Sequence, residues 1–208
     1  MPEPALTVQK PFLLLVEGKE DERFFQSFLK HLNMPSVQVL AIGGKDGFKR
    51  NLKAVMNDSG FPQVIALGIA RDADADARAA FQSVCSTLRE CKLPVPNDAF
   101  EIAESKKPIV GVMVLPDKDC AGALEDLCLQ SVLSHPAYRC VDRYFECLAA
   151  VRGIPPDFSL GKAKVQVFLA AVDPKTRRMG EAAEAGMWDF DDAAFEQVGT
   201  FMRRLFGE

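Results

Sequence analysis

Three short apolar runs near the start of the chain fix its fold class: Phe12–Val16 (FLLLV), Val37–Ile42 and Val64–Ala70. A run such as FLLLV has no polar alternation, so it cannot present a wet face and reads as a strand buried on both sides. Between the runs the period changes. Glu20–Leu32 carries Phe24, Phe25, Phe28, Leu29 and Leu32 at helical spacing, and Asp46–Met56 does the same with Phe48, Leu52, Val55 and Met56. Ala73–Glu90 reads as a third helix, ended by Pro94 and Pro96. Buried strands alternating with helices require crossover connections, hence a mostly parallel sheet flanked by helices.

Beyond Pro96 the pattern shifts. Phe100–Ala103 and Ile109–Leu115 are short strand candidates around Ser105-Lys106-Lys107-Pro108, either a hairpin or an addition to the sheet. From Ala121 onward the spacing is helical: Ala121–Leu133, Tyr138–Val151, Lys162–Ala171, Arg177–Ala185 and Asp192–Leu205. The expected organisation is an α/β core over residues 10–120 and a helical C-terminal extension over 121–208, packed on the core. Trp188 and Phe190 read as an anchor for the last helix.

Composition excludes several functions. No apolar run approaches the roughly 18–20 residues that span a bilayer, and Met1–Lys10 lacks the basic and apolar regions of a secretory signal. The chain is 48% hydrophobic and 26% charged, the profile of a soluble globular protein. Its 25 basic and 29 acidic residues give a net charge of −4, which argues against coating nucleic acid by bulk charge and leaves room only for a local patch. Six cysteines without a CxxC pair, and only His31 and His135, do not match zinc spacings. Reduced, mostly buried thiols in a cytoplasmic protein are expected.

The chemistry lies in the acids. In open α/β sheets ligands collect at the carboxyl ends of strands. Glu17 follows FLLLV directly, then come Gly18 and Asp21; Asp72, Asp74 and Asp76 follow the third run; Asp117 and Asp119 follow Leu115. If strand conformation persists, Asp72 and Asp74 project to one side; if a helix starts at Ala73, the acids fan around its N-terminus. Crowded carboxylates repel unless one takes a proton or a cation neutralises them. Mg²⁺ or Mn²⁺, a hard ion with oxygen ligands, suits Glu17, Asp21, Asp72 and Asp74. Asp76 is a weaker candidate that equally suits a helix N-terminus, and Asp117 and Asp119 read as loop residues. Gly43-Gly44-Lys45 opens a helix on which Lys45, Lys49 and Lys53 form a stripe, so Lys45 and Lys49 are candidates for positioning phosphate. There is no GxxxxGK[ST] loop.

The segment Leu15-Val16-Glu17-Gly18-Lys19-Glu20-Asp21 resembles the first motif of Toprim domains, and Asp72-Ala73-Asp74 resembles their second, the strand-end DxD. The resemblance covers residues 10–95, with one β-α-β-α-β unit joining the motifs. Toprim domains occur in topoisomerases, bacterial primases, the 5S ribosomal RNA maturase and OLD-family nucleases. The resemblance implies a glutamate, here Glu17, as general acid or base and aspartates holding Mg²⁺. In OLD-type nucleases a further acid and a lysine complete the site; by order alone Glu125 and Lys162 or Lys164 correspond. Gly122–Leu127, Lys162–Ala171, Gly180-Glu181 and Gly186–Phe190 resemble a small stand-alone Toprim-like bacterial family without an assigned function. Topoisomerase activity is discounted: the chain has only Tyr138 and Tyr144 and lacks large DNA-gate domains.

The expected function is Mg²⁺-dependent phosphoryl transfer on nucleic acid, a nuclease-like phosphodiester hydrolysis. Two alternatives stand beside it. One is a non-catalytic module that binds nucleotides or a protein partner. The other is a haloacid-dehalogenase-like phosphatase, with the first aspartate of the DxD as nucleophile.

Overall fold

The computed structural model describes residues 6–44, 47–153, 155 and 158–207. Lys45, one of the phosphate-positioning candidates, lies outside the described residues. The apolar runs become strands β1 (Phe12–Val16), β2 (Val37–Ala41) and β3 (Ala66–Asp72). They join β4 (Ile102–Ala103) and β5 (Ile109–Leu115) in a sheet of order β2-β1-β3-β5-β4. All pairings are parallel except that of β4 with β5, which is antiparallel. The molecule thus has the α/β fold with a mostly parallel sheet expected from the strand runs, in keeping with the Toprim-like fold that the motif resemblance implies.

The helices follow at α1 (Lys19–His31), α2 (Phe48–Met56), α3 (Ala77–Glu90), α4 (Leu124–Ser131) and α5 (Pro136–Arg152). Then come α6 (Leu160–Val172), α7 (Met179–Glu184) and α8 (Glu196–Phe206). The third helix begins at Ala77 rather than Ala73, because Asp76 caps it by accepting the Ala79 N–H at 2.9 Å. His135 caps α5: its Nδ1 accepts the Ala137 N–H at 3.1 Å.

Burial follows the strand order. The central strands β1, β3 and β5 are covered on both faces, while β2 at the edge alternates. One face is covered by α8. Gly68 and Gly111 are register partners on β3 and β5. A Cβ at Gly111 would lie 2.7 Å from the Phe201 ring, so these glycines admit α8 close to the sheet. Phe24 and Phe28 of α1 pack with Phe190 and Phe195. Trp188 is buried beside Phe168 and donates its indole N–H to the Met179 carbonyl at 3.1 Å. Trp188 thus ties the segment before α8 to α6 and α7, and Phe190 ties it to α1 and to Phe195 at the start of α8. The cysteines depart from expectation: all six are free, but only Cys85 and Cys128 are buried, and Cys120, Cys140 and Cys147 are exposed. No described helix is long and apolar enough to cross a membrane.

Candidate active site

The order β2-β1-β3 creates a switch point. The chain leaves β1 toward β2 on one side, while β3 leads to β5 on the other, and the carboxyl ends of β1 and β3 flank the crevice between. Glu17 follows the last residue of β1, and Asp72 is the last residue of β3. The Asp72 N–H donates to Glu17 Oε1 at 3.2 Å, tying the two strand ends together. Asp21 sits in the first turn of α1, where its carboxylate accepts the Gly18 N–H at 2.7 Å. Glu125 reaches the same place from the first turn of α4, and Asp72 accepts the neighbouring Leu124 N–H at 3.0 Å.

These four acids line one cavity of about 630 Å³, together with Gly18, Lys19, Glu20, Gly44, Lys162, Gln166, Arg177 and Arg178. The depression between α1 and β2, lined by Glu22, Lys30 and Gln38 among others, holds no cluster of this kind. The acids destabilise one another's charge. Burial, then Asp21, Glu17 and Glu125, push Asp72 up to about 8. Burial is also the main cause raising Asp21, Glu125 and Glu17; in Glu17 it outweighs the opposing pull of Arg71 and the Asp72 N–H. Arg71 was not foreseen. It is 5% exposed beneath the site, and its Nη1 lies 3.1 Å from Glu17 Oε1. The contact is a charge pair out of line for hydrogen bonding, so Nε and Nη1 make no hydrogen bond.

The remaining candidates separate. Strand conformation ends at Asp72, and Asp74 adopts a left-handed φ of 52°. Its backbone exchanges two 2.8 Å hydrogen bonds with Gly122. Asp74 is close enough to raise Glu17, yet it lines a smaller adjoining depression with Arg71 and Asp76. Neither arrangement considered for these acids is seen: the strand ends at Asp72, the helix starts only at Ala77, and a turn at Asp74 separates the two aspartates. Asp76 serves as the α3 cap. Lys49 does not face the cavity; it pairs with Glu90 at the end of α3. Lys162 does line the cavity, with Nζ 3.9 Å from Glu125, whereas Lys164 binds Asp142 at 2.7 Å. Asp117 accepts the Asp119 N–H in a turn.

Hard oxygen donors that repel one another are the donor set a divalent cation takes, and burial with the neighbouring acids raises the proton affinity of Asp72 for the same reason. Among the described residues, however, no three such side chains are arranged around one point to hold an ion. Each carboxylate instead accepts a hydrogen bond from a nearby N–H or faces a side-chain cation. Loading would exchange those partners for the ion.

Solved structures share the fold. A hypothetical protein of Pyrococcus horikoshii OT3 is 18% identical with a TM-score of 0.58, covering 95% of each chain. The C-terminal region of the Burkholderia pseudomallei OLD protein is 15% identical with a TM-score of 0.51, covering 96% of this chain and 100% of that one. The corresponding region of the Xanthomonas campestris pv. campestris OLD protein is 16% identical with a TM-score of 0.50, over 95% and 96%. No curated protein matches the sequence. Residues 11–207 match the sequence model of a family described as "Protein of unknown function (DUF3226)", and the chain belongs to that family.

Proposed function

We propose that the protein carries out divalent-cation-dependent phosphoryl transfer on nucleic acid, by hydrolysing a phosphodiester. The observation that carries this reading is the gathering of Glu17, Asp21, Asp72 and Glu125 from four elements into one cavity at the switch point. Asp72, Asp21 and Glu125 would hold Mg²⁺ or Mn²⁺. Lewis-acid polarisation of a phosphoryl oxygen is the chemistry such an ion supplies. Glu17, at the strand end and raised by burial, would take a proton from the attacking water or deliver one to the leaving oxygen. Arg71 orients its carboxylate from below. Lys162 balances the charge of Glu125 at the cavity wall. The resemblance of the Glu17 and Asp72 segments to Toprim motifs supports the same assignment.

A second reading, a non-catalytic nucleotide- or partner-binding module, is favoured by the carboxylates' failure to converge on one point among the described residues. The phosphatase reading is weaker, since it needs both aspartates of the DxD at one phosphate, and Asp74 lines the adjoining depression. The test is incubation of labelled single- and double-stranded DNA and RNA with Mg²⁺ or Mn²⁺. Cleavage by the wild type that falls ~10²–10⁴-fold in Glu17→Gln is the expected result. Wild-type protein that binds nucleic acid but cleaves none would favour the binding module.

A further inference from the structure

The acidic cavity has a second zone. Its acids sit at the ends of β1 and β3 and the starts of α1 and α4, whereas Arg177 and Arg178 line it from the segment leading into α7. These arginines are not the acids' counter-ions. Asp21 and Glu125 feel Lys162, and Glu17 feels Arg71, but neither Arg177 nor Arg178 figures among the main charges acting on Glu17, Asp21, Asp72 or Glu125. Arg177 has no ion-pair partner among the described residues. Arg178 is 66% exposed and only loosely held, 3.7 Å from Glu20. Two guanidinium groups therefore stand at the cavity wall apart from Glu17, Asp21, Asp72 and Glu125, with the loose contact of Arg178 to Glu20, a further lining acid, as their one ion pair among the described residues.

The segment that carries them is held from several sides. Asp173 accepts the Lys175 N–H at 3.0 Å and the Thr176 hydroxyl at 2.8 Å, and Thr176 is 9% exposed. Met179 is buried and its carbonyl is fixed by Trp188. Gly180 brings α7 against α1: a Cβ there would lie 2.7 Å from both the Glu20 carbonyl oxygen and Arg23 Cβ. Its N–H donates to Glu20 Oε2 at 3.1 Å, and Arg23 pairs with Glu181 and Glu184, each at 3.3 Å. Because the backbone that carries them is already fixed, binding need order only the two side chains, and a guanidinium fork matches phosphate geometry. The cavity lining has no aromatic side chain to stack a base; its apolar members are Val165 and Met179.

We infer that Arg177 and Arg178 form a phosphate clamp that holds backbone phosphates next to the one at the acidic centre, so that the substrate is an oligonucleotide strand recognised by its phosphates rather than its bases. This deepens, and rests on, the phosphodiester reading above. It also moves phosphate positioning from Lys49 of α2 to the α6–α7 connection.

The test uses the full chain and a fluorescein-labelled single-stranded 20-mer, as DNA and as RNA, with Ca²⁺ replacing Mg²⁺ during binding. Arg177→Ala with Arg178→Ala should weaken binding at least ten-fold at low salt. It should also reduce the slope of log K against log salt by about 1.4, the contribution of two single-strand phosphate contacts. Arg→Lys at both positions should restore most of the slope. With Mn²⁺, kcat/KM on the oligonucleotide should fall at least ten-fold more than on bis(p-nitrophenyl) phosphate, mainly through KM. Arg177→Ala alone, which breaks no described ion pair, guards against misfolding and should show about half the change in slope. Wild-type affinity and slope in the double variant, or no nucleic-acid binding by the wild type, would overturn the clamp. If binding responds as expected but neither substrate is hydrolysed, the clamp stands and the catalytic reading fails. If cleavage persists with unchanged binding, the reverse holds.

Discussion

Arg71 and Glu17 form a charge pair between neighbouring strands, with Nη1 3.1 Å from Oε1. The arginine is 5% exposed and the glutamate side chain 23%. The guanidinium also stands over the Phe48 ring, 5.9 Å from its centroid. It is the buried cation beneath a group of acids that raise one another's proton affinity. Its position just before Asp72 ties Glu17 and Asp72 to the same two strand ends.

Arg71→Met should therefore destabilise the protein. Methionine fills much of the space but leaves Glu17 facing Asp21 and Asp72 without its cation. Breaking a fully buried pair costs about 3–5 kcal/mol; because Glu17 is partly solvated, roughly 2–3 kcal/mol is expected. Urea unfolding at pH 8 measures this directly, and an unchanged midpoint would show that the misaligned pair contributes nothing.

Asp72 gives a pH dependence whose sign is fixed. Its affinity for a proton is higher in the folded protein, about 8 against 3.8 in the unfolded chain. The folded state then binds more protons, so stability falls as pH rises. The contribution is complete below about pH 4 and is lost progressively up to about pH 8. A shift of this size is worth on the order of several kcal/mol. Glu17, Asp21 and Glu125 are raised as well and act in the same direction. Asp72→Asn should flatten the loss of stability between pH 5 and 8.5. Parallel wild-type and variant curves over that range would contradict the assignment.

Gly111→Ala tests how α8 is seated. The added Cβ meets Phe201 ring carbons at 2.7 and 3.1 Å and Leu205 at 3.1 Å. Both side chains are fully packed, so the helix must lift or the rings rotate, at roughly 1–3 kcal/mol. A lower thermal midpoint with unchanged cation response is expected, since α8 lies away from the cavity lining. A rise in the midpoint would mean the sheet face under α8 is underfilled.

The strands were legible because apolar density alone marks a doubly covered β1, β3 and β5. Glu17 and Asp72 were legible because they stand at the ends of those runs. Asp74 was not, since its departure from the strand depends on a left-handed turn and a pairing with Gly122, 48 residues away in sequence. Local spacing carries no record of that contact. Lys49 reads as a free phosphate-binding cation on a helical wheel, but its partner Glu90 comes from another helix. Arg177 and Arg178 reach the cavity because Gly180 lets α7 settle on α1, a contact that local spacing does not encode. Arg71, a charged residue between the apolar run ending at Ala70 and Asp72, was a local signal available and unused: a buried strand holds an arginine only where something opposes its charge.

Lys49→Ala follows from the same contact. Both partners are about half exposed and screened by solvent, so losing the pair should leave the thermal midpoint nearly unchanged. Because Lys49 points to α3 rather than to the cavity, the affinity for a labelled oligonucleotide and its salt dependence should stay at wild-type values. A shallower salt slope in Lys49→Ala would restore the helix as a phosphate-positioning element.

Asp72 and Asp74 can be told apart by their response to a cation. A ligand that binds only the folded state raises its stability by RT ln(1 + [L]/Kd), so Mn²⁺ titration of the thermal midpoint reads affinity without requiring turnover. Asp72 lies in the cavity with Asp21 and Glu125, and Asp72→Asn should nearly abolish the shift. The same change relieves repulsion, so the cation-free variant should melt higher than the wild type at pH 8. Asp74 lines the adjoining depression and touches the cluster only through its field on Glu17. Asp74→Asn should keep most of the shift, with a modest loss of affinity from one fewer negative charge nearby. The neutral amide also preserves the backbone bonds to Gly122, and Asn tolerates a left-handed φ, so folding should not confound the comparison. Equal loss in both variants would mean that Asp74 swings into the cavity when the ion is bound. An undiminished shift in Asp72→Asn would place the cation elsewhere.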